Sequence, residues 1–130
     1  MASILRVNTL TDASSNNSVP MATVASGSAK AWVQLNGTGT IAARDSFNHS
    51  SLTDGGVGRY KNTISSAMGN DDYVVHATGD IGSVSDFAVA CSNDSTTART
   101  TTAAEMRIGT TGGASADTDI AAMSFFGDLA

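Results

Sequence analysis

Bulky aliphatic side chains are scarce in this chain. Leucine, isoleucine, valine and phenylalanine together supply 24 of its 130 residues, under a fifth. So small a stock of apolar volume marks disorder when it is joined to high net charge. Here the net charge is −5 and charged residues make up 15%, so the electrostatic half of that signature is missing. Basic clusters are absent too. The seven Lys and Arg residues are scattered singly in a chain of pI about 4.6. Phosphate neutralisation therefore has no footprint, and nucleic acid is excluded as an expected partner. No window approaches 18 consecutive apolar residues, so no membrane insertion is expected. MASILRVNTL lacks the long apolar stretch of a secretory signal. Cys91 is the only cysteine, which excludes an intrachain disulfide and leaves a buried thiol on a strand as its expected place.

What is present instead is alanine, serine, threonine and glycine, at a length that suits one domain. These residues let backbones approach closely but contribute little transfer free energy each. The expectation is that neighbouring copies supply part of the core, because burial between chains stabilises as burial within one does.

The patterning is that of strands. SILRVNTL alternates Ile4, Arg6 and Asn8 against Leu5, Val7 and Thr9, and predicts a first strand. TDASSNNS is a run of turn-formers closed by Pro20, the only proline, and MATVASGSA reads as a linker or extended arm. Ala31, Val33 and Leu35 fall on one side of the next strand, with Lys30, Trp32 and Gln34 on the other. Asn36-Gly37 predicts a turn with positive φ at both positions, and Ile41 to Phe47 the return strand. A second tight turn, Thr53 to Gly56, precedes a strand that sets Tyr60, Asn62 and Ile64 opposite Arg59, Lys61 and Thr63. YVVHATG resumes the pattern, and the following strand places Phe87, Val89 and Cys91 together. AEMRIGT turns Glu105 and Arg107 outward and Met106 and Ile108 inward, with a weak helical alternative near Thr101 to Met106. DIAAMSFFGDLA ends on Phe125-Phe126, an aromatic for each side of a final strand at a subunit contact. Short strands separated by glycine turns predict an all-β fold, a small antiparallel β-sandwich or barrel. The expected division is an amino-terminal strand and extended arm over residues 1–29 and a sandwich domain over residues 30–130.

Reactive groups are few and poorly grouped. His49 and His76 could each join a serine and an aspartate, but no G-x-S-x-G elbow is present to hold a strained nucleophile. Asp71-Asp72, Asp80, Asp117 and Asp119 are oxygen ligands of the kind calcium accepts, without the spacing of an EF-hand. The glycine runs lack the lysine of a phosphate-binding loop. Trp32 beside Lys30 could serve as a stacking platform for carbohydrate or as a packing residue. No catalytic, cofactor-binding or metal residue is assigned, and a non-enzymatic protein without cofactor is expected.

One long segment carries a family likeness. In residues 29–60, AKAWVQLNGTGTIAARDSFNHSSLTDGGVGRY, the telling positions are Ala29 to Val33, Asn36 to Thr40, Arg44, Ser46 to Asn48, Ser50-Ser51, Thr53-Asp54 and Gly58 to Tyr60. This segment resembles one that recurs in tail-fibre-like virion structural proteins of tailed bacteriophages, marine and cyanobacterial ones above all. The leading SILRVNTLTDASSNN is similar to the short start of such proteins, and the likeness covers about the first half of the chain. Asp45 and His49 depart from the pattern, which has small or apolar residues there. The resemblance implies a non-enzymatic, β-structured virion component assembling as a homotrimer, located on the outer surface of capsid or tail. Its partners would be copies of itself and the major capsid protein or another virion protein. A capsid cement or decoration protein is favoured over a tail-fibre protein touching a host-surface glycan, because the length leaves little room for both shaft and head. A polysaccharide-acting enzyme is the outside alternative. Ile4, Leu5 and Val7 are expected to anchor the arm, and Trp32, Tyr60 and Phe125 to stabilise subunit packing.

Overall fold

The computed structural model describes residues 4–80, 89–92 and 99–130, with side chains given throughout except in the strand at residues 89–92. The fold is all-β and antiparallel, with one short helix. An amino-terminal hairpin pairs β1 (Thr9–Thr11) with β2 (Ser18–Pro20) and runs into helix α1 (Met21–Gly27). Eight further strands form two four-stranded sheets. The first has the order β4 (Ala42–Phe47), β3 (Ala31–Asn36), β10 (Ile120–Phe126), β7 (Val74–Asp80). The second has the order β5 (His49–Asp54), β6 (Arg59–Ile64), β9 (Ala103–Gly109), β8 (Val89–Ser92).

Alternation along the strands builds the core between the sheets. Ala31, Val33 and Leu35 of β3 and Ala121, Met123 and Phe125 of β10 face Tyr60 and Ile64 of β6 and Ala104, Met106 and Ile108 of β9. Most of these side chains have 0–3% of their surface exposed. Here the expectation of a core completed by neighbours is corrected. Three methionines and two tyrosines, Met68, Met106, Met123, Tyr60 and Tyr73, supply bulk that a count of aliphatics misses. Methionine fills irregular gaps between small residues, which suits a core that also contains Ala31, Ala104 and Ala121.

Asn48 turns one side of the sandwich into a corner. The chain leaves β4 in one sheet and enters β5 in the other through this single residue, at φ 52°. Asparagine tolerates that left-handed conformation better than most residues. Its side chain is fully engaged: Nδ2 donates to the carbonyls of Lys30 (3.0 Å) and Ser66 (3.1 Å), and Oδ1 accepts from the Ser66 amide at 2.7 Å. Both β4 and β5 also carry a register shift, and such irregularities blunt an edge strand against unwanted pairing.

Two tyrosines close the ends of the core. At one end the Tyr60 hydroxyl shares its proton between Asp117 Oδ1 (3.1 Å) and the Gly37 carbonyl (3.2 Å), and accepts from the Thr118 amide at 3.2 Å. At the other, the Tyr73 hydroxyl lies 2.8 Å from the carbonyls of both Thr100 and Ala103, and its ring packs 5.7 Å from that of Phe125. Arg99 lies over the outer side of Tyr73, 5.0 Å from the ring centroid. Burial pushes both phenols up to about 12, so each stays a neutral donor over the ordinary pH range.

Several local expectations change. Residues 21–27 are helical, not an extended linker, and residues 4–8 lie outside any strand. Positive φ in the β3–β4 turn falls on Gly39 alone, at 66°. Gly37 is needed for another reason, because a Cβ there would sit 2.3 Å from the Tyr60 ring. The segment from Thr101 to Met106 enters β9 as a strand. Glu105 points to the outer side of its sheet yet is only 4% exposed, since Arg59 covers it with contacts of 2.8 and 3.0 Å to Oε1. The last strand lies between β3 and β7, so it is central and its backbone offers no edge to another subunit. Phe87 and the Cys91 side chain lie outside the described residues.

Candidate functional site

The residues expected at interfaces fall into three environments. Tyr60 and Phe125 have no exposed surface, so they serve the packing of the single chain and present nothing to a second one. Trp32 is half-buried on the outer face of the first sheet. Ile4, Leu5 and Val7 are uncovered, at 76, 78 and 37% exposure.

The outer face of the first sheet has a definite relief. Register places Phe47, Trp32, Ser124 and His76 in one row across four strands. The next row holds Asp45, Gln34, Ala122 and Thr78. In both rows the central strand β10 carries a small residue and its neighbours carry larger ones. Side chains two apart on a strand share a face, so Ala122 and Ser124 form the floor of a trough running along β10. The trough holds about 140 Å³, with Trp32 and Gln34 as one wall and His76 and Thr78 as the other. Its surroundings are apolar: Phe47, Val74 and Ile120 are 55, 52 and 40% exposed, and the His76 ring packs 5.4 Å from Phe126. Asp45 and Asp80 border it. Arg44, on the same edge strand as Asp45, is turned away to donate to the Asp119 carbonyl at 2.7 Å.

The second uncovered region is the amino-terminal unit. Its turn is well built: Asp12 accepts from the Asn16 amide (3.0 Å) and from Asn17 Nδ2 (2.8 Å), and Asn17 is the main reason its carboxyl sits below the usual value. Its apolar side chains have no such satisfaction. Leu10 and Val19, opposite each other in the hairpin, and Val24 of α1 are 46, 42 and 39% exposed. Met21 is the one residue of 4–28 that is not exposed outright.

The groups considered for chemistry are dispersed. His49 Nδ1 lies 2.6 Å from Oδ1 of the buried Asn62, whose amide nitrogen has no partner among the described residues. Asp117 accepts from the Gly58 amide at 2.7 Å and from Tyr60. Among the described residues no three His, Cys, Asp or Glu side chains converge as a metal site would require.

The sequence singled out Trp32, but the trough itself went unread. Alternation in IAAMSFF puts Ala122 and Ser124 on one face, and this was the available signal. Which strands flank β10 comes only from pairing across 40 or more residues. No protein-family model, curated protein or solved structure matches this chain.

Several residues of the segment 29–60 have clear structural duties. Gly37, Asn48, Gly58 and Tyr60 fix the corner and one end of the sandwich, and Arg44 ties β4 to the start of β10. A Cβ at Gly58 would meet the Ile108 carbonyl at 2.3 Å, and its φ is 66°.

Proposed function

We propose that this chain is a non-enzymatic structural protein of the outer surface of a tailed-bacteriophage particle, acting as a self-associating, trimeric capsid decoration protein. The observation that carries the reading is the amino-terminal unit. A hairpin of three-residue strands and a seven-residue helix are both too short to be stable alone in water. Yet this unit holds six large aliphatic side chains in the open: Ile4, Leu5, Val7, Leu10, Val19 and Val24. Burying a fully exposed side chain of this kind contributes about 1.5–3 kcal/mol, and Ile4 and Leu5, more than three-quarters exposed, have the most to gain from a partner. Such a unit fits an attachment arm laid across a neighbouring protein, while the sandwich, whose core is already closed, is the part it holds in place.

The likeness of residues 29–60 to tail-fibre-like proteins supplies the viral setting. The placement on the capsid rests on the amino-terminal unit. A fibre-tip role has one observation in its favour, the trough with Trp32 at its wall, since a half-exposed aromatic beside amide, imidazole and hydroxyl groups suits a sugar ring.

Particles purified from an infected culture test the proposal. The chain should co-sediment with capsids, and a form beginning at Thr23 should fold but no longer bind particles stripped of the protein. Retention of that shortened form on particles would overturn the arm assignment. Absence of the chain from the particle, or glycan binding by the isolated protein, would overturn the decoration reading.

A further inference from the structure

The arm and the trough are uncovered on the same chain, and their features match. We infer that residues Ile4 to Val7 of one copy lie along β10 of a second copy, with Leu5 and Val7 seated in the trough over Ala122 and Ser124. The inference deepens the self-associating reading above and rests on it.

Three observations carry it. The first is spacing. Leu5 and Val7 are two residues apart, and an extended chain turns such a pair to one side. The floor positions Ala122 and Ser124 are likewise two apart, at the same rise per residue, so two apolar knobs meet two small-floored rows. The second is charge. Arg6 is the only charged residue of 4–11 and has no partner among the described residues, whereas the trough is bordered by Asp45 and Asp80. With Leu5 and Val7 turned inward, Arg6 leaves the opposite side of the segment, so the attraction acts between a basic segment and an acidic rim as a whole and steers their approach. The third is that the arm does not use its own trough: Ile4 and Leu5 remain more than three-quarters exposed in the single chain. An arm given to one neighbour and a trough filled by another make a head-to-tail contact, which closes into a ring when the rotation allows.

Trp32 is the only tryptophan and lines the trough, so its fluorescence reports occupancy directly. Sedimentation velocity and tryptophan emission are measured on the full chain over a dilution series. The unaltered protein should self-associate, and its emission should move to the red as dilution empties the trough. Leu5→Asp should weaken self-association roughly tenfold or more and abolish the dilution shift, without changing the thermal midpoint of the single copy. A synthetic peptide of residues 2–11, added to the Leu5→Asp protein, should restore the blue-shifted emission. Ala122→Lys, which raises the floor, should prevent that restoration. An assembly unaffected by Leu5→Asp, or an emission blind to the peptide, would overturn the inference. So would a monomer whose emission answers to neutral oligosaccharides and not to the peptide. Monomeric Leu5→Asp protein that still binds stripped particles would leave the virion role standing, whereas persistence of its self-association would overturn the arm contact alone.

Discussion

The two parts of this molecule treat apolar side chains in opposite ways. From Ala31 onward the described chain closes a core of aliphatic, methionine and tyrosine side chains between two sheets, most of them at 0–3% exposure, and leaves Phe47, Val57, Val74, Ile120 and Leu129 outside it. Over residues 4–28 it forms a hairpin and a helix with exposed leucine, isoleucine and valine and no core of its own. The difference lies in the number of layers. Two stacked four-stranded sheets can bury an inner face each, whereas one two-stranded ribbon has nothing to stack against. Polar satisfaction does not separate them, since the Asp12 turn of the amino-terminal unit is as thoroughly hydrogen-bonded as the Asn48 corner of the sandwich. What the amino-terminal unit lacks is cover.

The strongest break in that contrast should come from the core. Phe125→Ala removes a ring at 0% exposure that packs on Tyr73, and should cost about 3–5 kcal/mol in chemical denaturation. A loss under about 1 kcal/mol would mean that the sandwich is far looser than its packing indicates. The corner comes next. Asn48→Ala keeps an unfavourable positive φ and removes three hydrogen bonds, for an expected loss of about 2–3 kcal/mol. Asn48→Gly relieves the backbone and loses only the bonds, so it should be the milder of the two.

Base should then weaken the sandwich through its two tyrosines, which are the only ones in the chain. Both phenols are raised to about 12 in the folded protein, against 10.0 for a free tyrosine side chain. Between those values the unfolded chain has lost protons that the folded one retains. Stability is therefore constant with respect to these groups below about pH 10 and falls as pH rises from there toward 12. Tyrosinate absorbance should stay flat in the native protein while denaturation midpoints decline. Tyr60→Phe should reduce the slope and cost about 1–2 kcal/mol near neutrality, because the Thr118 amide and Asp117 lose a partner.

The smallest effects should come from the arm. Leu10→Ser and Val24→Ser change side chains that touch little, and the melting midpoint of the single copy should shift by no more than about 0.5 kcal/mol equivalent. A large loss there would show that the arm packs on its own sandwich.

Much of the fold was legible because β periodicity is local. Alternation groups Ala31, Val33 and Leu35 on one side of their strand and Tyr60, Asn62 and Ile64 on one side of theirs, and the structure buries all six. Reading failed where a partner distant in sequence decides the outcome. Glu105 looks like a solvated charge until Arg59, 46 residues away, folds over it. Gly37 looks like a hairpin glycine until the Tyr60 ring is placed beneath it. Tyr60 and Phe125, expected at an interface, lie in the core because a residue's side of a strand does not tell which side becomes the interior. The candidate site was the least legible part. Trp32 attracts notice by its chemistry, whereas Ala122 and Ser124 matter only for their smallness beside larger neighbours.

By itself the sequence determined most strands of the two sheets and the absence of a spanning run, since each depends on neighbours a few positions apart. Tertiary structure decided which face became core, where small residues opened a trough, and which apolar side chains were left without cover. Those outcomes depend on the pairing of β10 with β3 and β7 and on the stacking of two sheets, contacts between segments dozens of residues apart.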